Sequence, residues 1–232
     1  MANIDFSTWS ASDLRWAATH RCKHRHLYIE HPACYVSDFN TTLPPSQRAE
    51  RIAFFDIEAT NMDANFGIMI SWVVKELDKD DLYVDYLIPK DITTYEFDKP
   101  DTRIVQNLIN VLSQFDRVVG HYSSKFDLPF VRTRALYDGL DFPAYGQLYQ
   151  DDTWSVARTK LKLNSNKLDV IALTLFGETQ KTRIEFKYWI GALHADKQSI
   201  DYIVDHNKKD VIELEKVWKT IHKFQRPVKR SI

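Results

Sequence analysis

Asp56 and Glu58 stand two apart in Ile52-Ala-Phe-Phe-Asp-Ile-Glu58, where four apolar residues before Asp56 read as a buried strand. On a strand this spacing sends both carboxylates to one face and Ile57 to the other. Two adjacent carboxylates repel each other, and a divalent cation between them removes the conflict; hard oxygen ligands suit Mg²⁺ or Mn²⁺. The plain alternative is a strand end with solvated acids. The pair falls, however, at the carboxyl end of a central strand, where α/β folds place their sites. A third acid, Asp127, follows in Gly120-His-Tyr-Ser-Ser-Lys-Phe-Asp127-Leu-Pro-Phe130, at a predicted helix start. By itself it reads as an N-cap, but the flanking Phe126, Leu128 and Phe130 anchor it. His206 and Asp210, four apart in a C-terminal helix, share a face beside its apolar stripe. Taken alone, they read as a helix-surface salt-bridge site.

The elements that must position these groups follow from periodicity. Gly67–Val74 and Leu82–Ile88 are predicted strands joined by the polar Asp78-Lys-Asp-Asp81, so that with 52–58 they form three antiparallel neighbours. Thr102–Phe115 has helical spacing, and Arg117-Val-Val-Gly120 resumes as a strand, for which a crossover implies parallel pairing. A helix over 127–140, a last strand over 147–150 before Asp151-Asp152, and a helix over 199–224 complete an α/β layer pattern. The tail, Pro227-Val-Lys-Arg-Ser-Ile232, is expected to fray.

Residues 1–46 differ from the rest. They hold both cysteines and four of the eight histidines, and end in Asn40-Thr-Thr-Leu-Pro44-Pro45, which sets a boundary near residue 47. Ser12 is a plausible N-cap for a helix over Leu14–Ala18. The expected organisation is a Cys/His-rich module over 1–46, a main domain over 47–225 and a tail over 226–232. Cys22, His24, His31 and Cys34 could close a tetrahedral zinc site, with His26 or His20 able to replace His24. A basic segment with chance histidines is the other reading.

The chain has 232 residues, net charge −1 and 44% hydrophobic residues, enough for one substantial core plus an appendage. That charge excludes a wholesale polycation, so contact with nucleic acid must come from local patches. Between 158 and 187, Arg158, Lys160, Lys162, Lys167, Lys181, Arg183 and Lys187 outnumber Asp169, Glu178 and Glu185, and form such a patch or a merely solvated face. No apolar run nears the roughly 20 residues that cross a bilayer, and no signal-like leader is visible, so a cytoplasmic protein without membrane partners is expected.

Taken in order, the strand Asp-x-Glu, the Phe-Asp at a helix start and the last-helix acid four residues after a His resemble the DEDD 3′→5′ exonuclease superfamily. Gly120–Phe130, Asp152-Thr-Trp, Asn166-Lys-Leu-Asp-Val and Leu175-Phe-Gly177 most resemble RNase H-like exonuclease domains of bacterial and phage proteins, over about residues 51–222. The resemblance implies a five-stranded mixed sheet flanked by helices. It makes Asp56, Glu58, Asp127 and Asp210 ligands of two Mg²⁺ or Mn²⁺ ions and His206 the general base. It also implies nucleic acid as partner, single-stranded DNA 3′ ends first and RNA as well. Two departures stand out: His121-Tyr122 occupies the place where most such proteins have Asn, and His206 has the spacing of a Tyr-type member. Substrate contacts are expected from Met62, Phe66, His121, Tyr122 and Lys125. An RNase H-like endonuclease acting on structured or hybrid nucleic acid, or a non-catalytic binding protein, are the competing readings; the intact set of four acids speaks against the last.

Overall fold

Five strands make one mixed sheet in the order β3-β2-β1-β4-β5: β1 (Ile52–Ala59), β2 (Met69–Glu76), β3 (Leu82–Tyr86), β4 (Arg117–Gly120) and β5 (Tyr149–Asp152). The computed structural model describes residues 4–180, 182 and 184–225; the tail at 226–232, and Lys181 and Arg183 of the basic stretch, lie outside the described residues. The first three strands pair antiparallel, β4 runs parallel to β1, and β5 parallel to β4. This is the RNase H-like arrangement anticipated from the motif order.

The helices among the described residues are α1 (Ala11–Thr19), α2 (Pro32–Phe39), α3 (Pro89–Thr94), α4 (Thr102–Leu112), α5 (Asp127–Tyr137), α6 (Thr153–Lys160), α7 (Leu168–Phe176), α8 (Phe186–Leu193) and α9 (Lys197–Ile221). None is long and apolar enough to cross a membrane. β1 sorts its side chains by parity between the two layers these helices build. Ala53, Phe55 and Ile57 enter a core shared with α4, α5 and α8, while Phe54 enters one shared with α6, α7 and the C-terminal half of α9. Asp56 and Glu58 share parity with Phe54 and therefore face α9.

Asp101 joins three elements: wholly buried, it accepts from the Met69 N–H at 2.8 Å and from Arg134 Nε at 3.0 Å. Asp101→Ala strands a buried guanidinium without its counter-charge, so unfolding in urea should show a loss of about 3–5 kcal/mol. A loss under about 1 kcal/mol would mean that the pair is not a tie between β2 and α5.

Several boundaries differ from those read in the sequence. β2 begins at Met69 and runs past Val74, because its terminal charges are neutralised by Lys75–Glu215 at 2.5 Å and Arg51–Glu76 at 2.7 Å. Gly67 instead closes the turn after β1, donating its N–H to Asp63 O at 2.8 Å, and a Cβ there would lie 2.9 Å from the Phe130 ring. β3 stops at Tyr86, because Ile88 already caps α3. β5 starts at Tyr149 and includes both Asp151 and Asp152; Asp151 is paired with Arg117 at 2.8 Å, which makes an acid tolerable there. Ser10, not Ser12, caps α1, its hydroxyl accepting from the Asp13 N–H at 3.2 Å. α5 ends at Tyr137 ahead of Gly139 at φ +70°, and α9 starts two residues earlier than Ser199, behind the cap Asp196, and ends at Ile221. The sequence reading assigns no helix to α2, α3, α6, α7 or α8. Four of these have eight residues or fewer, too few to display a clear period, and α7 is apolar on most sides.

Candidate active site

β1, α5 and α9 bring four acids and one histidine to the carboxyl end of β1. Register between β1 and β4 ends at the Phe54–Val119 pair, and beyond it the Ile57 N–H donates to Asp127 Oδ1 at 3.2 Å. This bond seats a buried α5 carboxylate against the Asp56–Glu58 stretch. The β1–β2 register slips between Glu58 and Ala59, an irregularity that re-aims the side chains beside it. From α9, His206 Nε2 lies 3.5 Å from Glu58 Oε1 and 3.5 Å from Asp210 Oδ2. One ligand atom each from Glu58, His206 and Asp210 falls within a mutual 4.8 Å, close enough to share a metal ion. His206 and Asp210 are buried although ionisable, because the 3.6-residue period turns them, with Ile203 and Val211, toward the sheet.

Asn207, Thr182 and Glu213, which the sequence reading did not single out, and Asp152, which it quoted in Asp152-Thr-Trp, hold this arrangement. Asn207, fully buried, donates from Nδ2 to Asp56 Oδ2 at 2.6 Å, while its Oδ1 has no hydrogen-bond partner among the described residues. That orphaned oxygen beside clustered carboxylates is the kind of donor a divalent cation satisfies. Thr182 Oγ1 meets His206 Nδ1 at 2.8 Å and so sets the ring with Nε2 toward the acids. Glu213 pins the segment leading to Thr182, accepting from Thr179 Oγ1 at 2.9 Å and the Gln180 N–H at 2.7 Å. Asp152 organises the loop before Asp127, accepting from the N–H of Tyr122 at 2.9 Å and of Ser124 at 3.0 Å. A signal for Asn207 was available, since it sits three residues before Asp210 on the same helix. Asn207→Ala should weaken Mn²⁺ binding at this site about 10- to 100-fold in calorimetric titration, with the melting temperature recorded alongside. An unchanged affinity would remove Asn207 from the positioning set.

The residues expected to contact substrate lie around the same end of the sheet. Met62 and Phe66 are exposed in the loop after β1, at 64% and 76%. In the β4–α5 loop, Tyr122 has φ +66° and is exposed along with Lys125, whereas His121 Nδ1 is engaged with Thr153 Oγ1 at 2.9 Å. The Tyr122 ring meets Trp154 edge-on with centroids 5.0 Å apart, and the Arg158 guanidinium lies 5.2 Å over Trp154. Trp154 and Arg158 extend that surface along α6. Arg158, Lys160, Lys162, Lys167 and Lys187 are all exposed, so the described part of the basic stretch faces solvent.

The amino-terminal residues gather a separate small core of Ile4, Trp9, Ala17, Cys22, Tyr28 and Tyr35. Beside it, the potential ligand set is Cys22, His24, His26 and Cys34. His31, preferred from the sequence, is replaced by His26: it stands before Pro32 as the first flanking residue of α2, and its ring stacks on His26 with centroids 3.9 Å apart. Burial, with Cys22 beside it, pushes the Cys34 thiol up to about 11.

Comparison with known proteins agrees with this geometry. The RNase_H_2 family model, of the RNase H superfamily, matches residues 53–222. Among solved structures, the chain is similar to the family B DNA polymerase of the hyperthermophilic archaeon Pyrobaculum calidifontis, at 18% identity and a TM-score of 0.60. The match covers 78% of this chain but 25% of the polymerase, so the chain spans about a quarter of that protein's length. A search of curated proteins finds no match. The family match supports a nuclease, a hydrolase of nucleic acid that uses divalent metals. With its sheet order, its matched span and its acids at the carboxyl end of β1, the chain belongs to the RNase H superfamily.

Proposed function

We propose that the chain is a metal-dependent 3′→5′ exonuclease that releases nucleotides one at a time from nucleic-acid 3′ ends, single-stranded DNA foremost. The observation that carries this reading is the meeting of Glu58 and Asp210 at His206, with Asp127 held by the Ile57 N–H and Asp56 by Asn207, at one strand end. The donors fit Mg²⁺ or Mn²⁺, being hard oxygens with one orphaned amide oxygen beside them. When bound, two such ions would acidify the attacking water and stabilise charge on the leaving 3′ oxygen. Asp56, Glu58, Asp127 and Asp210 would hold them. In the tautomer whose Nδ1–H donates to Thr182 Oγ1, His206 presents the Nε2 lone pair to take the water's proton. The water oxygen bonds to phosphorus, the bond from phosphorus to the 3′ oxygen breaks, that oxygen gains a proton, and a nucleoside 5′-monophosphate leaves. Tyr122, Trp154, Met62 and Phe66 offer faces for terminal bases, with Lys125 and Arg158 for phosphates.

The test is digestion of 5′-labelled single-stranded and duplex DNA and RNA with Mg²⁺ or Mn²⁺. A ladder shortening by single nucleotides from the 3′ end is the expected product, most readily from single-stranded DNA. Discrete internal cuts would replace the proposal with an endonuclease, and binding without cleavage would replace it with a non-catalytic protein.

A further inference from the structure

The four thiol and imidazole groups near the amino terminus take no part in the chemistry at β1, yet they form a cage. Cys22 Sγ lies 3.9 Å from His24 Nδ1, and Cys34 Sγ lies 3.8 Å from both His24 Nδ1 and His26 Nδ1. All four ligand atoms fall within 4.8 Å of one another. Ligands about 2.3 Å (sulfur) and 2.0–2.1 Å (nitrogen) from a tetrahedral zinc ion are roughly 3.4–3.8 Å apart. The observed separations are those of such a cage slightly opened. The geometry points to one structural Zn²⁺ held by Cys22, His24, His26 and Cys34.

The backbone around the cage supports this assignment. Residues 21–27 form a tight hairpin, bridged at Arg21–Leu27, with the Cys22 N–H donating to His26 O at 3.0 Å and the Arg25 N–H to Cys22 O at 2.8 Å. Arg25 at its tip has φ +67°, a left-handed conformation unfavourable for a non-glycine residue. Three of the four ligands come from this hairpin, and the fourth, Cys34, from the first turn of α2. His31 serves by stacking on His26, which turns His26 Nδ1 toward Cys34. Thiolate with imidazole is a donor set suited to zinc rather than to the hard ions proposed for the carboxylates. A metal would tie the hairpin to α2 beside the small core of Ile4, Trp9, Ala17, Cys22, Tyr28 and Tyr35. It would also fix the exposed Arg21, Lys23 and Arg25 on the rim of a cavity of about 410 Å³ that they share with Tyr83, Asn107 and Gln114.

The test uses the full-length chain and does not depend on nuclease activity. Purified protein should contain one zinc per chain by elemental analysis, and replacement by Co²⁺ should give the visible bands and sulfur-to-cobalt charge transfer of a tetrahedral S₂N₂ site. Cys34→Ser and His26→Ala should each weaken zinc binding by more than the roughly 100-fold that loss of an outer positioning group can cost, whereas His31→Ala should retain the metal. If a variant fails to fold, the Co²⁺ spectrum of the unaltered chain decides. An octahedral cobalt spectrum, zinc content indifferent to Cys34→Ser, or a Cys22–Cys34 disulfide in zinc-replete protein would overturn the assignment.

Discussion

Asp56→Ala is expected to abolish Mg²⁺- or Mn²⁺-dependent cleavage, leaving a rate about 10³-fold or more below that of the unaltered chain. The magnitude follows from chemistry that relies on metal: ions at the reacting phosphate contribute several kcal/mol of charge stabilisation, and each 1.36 kcal/mol is about tenfold in rate. Asp56 stands on the central strand and is held by Asn207 at 2.6 Å, so its removal both deletes a proposed ligand and strands a buried amide. The stranded donor costs about 1–3 kcal/mol, against which relief of repulsion among the remaining acids works in the opposite direction. Circular dichroism should therefore report a folded protein. Asp210→Ala should behave alike, as should Asp56→Asn, which keeps the volume and loses the charge. Undiminished metal-dependent digestion by Asp56→Ala would sink the proposed site.

His206→Ala is expected to slow cleavage by about 10²- to 10⁴-fold, the range for loss of a positioned base, with the fold retained. Its position allows a second role, because Nε2 sits 3.5 Å from both Glu58 and Asp210. The metal dependence separates the two. A base acts on the chemical step, so the Mn²⁺ concentration giving half-maximal rate stays where it was and added imidazole restores part of the activity. A rise of about tenfold or more in that concentration, without rescue, would assign His206 to the metal instead. Thr182→Val, which removes the oxygen at Nδ1, should move the rate in the same direction by a smaller factor.

The strand and helix cores were legible because their signals are local. In Ile52–Glu58 an alternation of period two passes through Asp56 and Glu58, and in α9 a period of 3.6 aligns His206 with Asp210. The ends of the elements were less legible. Lys75 and Glu76 look like loop residues until Glu215 and Arg51, far off in sequence, neutralise them. The same holds at Asp151, made acceptable in β5 by Arg117 and by the Trp218 indole N–H at 3.2 Å.

By themselves, the residue types and spacing determined that acids would stand on one face of a central strand, that another would open a helix after β4, and that a histidine and an acid would share a face of the last helix. Those are properties of backbone period, which any chain segment expresses without its partners. Only the tertiary structure decided which groups meet. It chose Asn207 for Asp56 across 151 positions, Thr182 for His206, and His26 over His31 beside the two cysteines. Such choices depend on where separate elements cross and on which buried polar atom would otherwise lack a partner, and neither is written in local spacing.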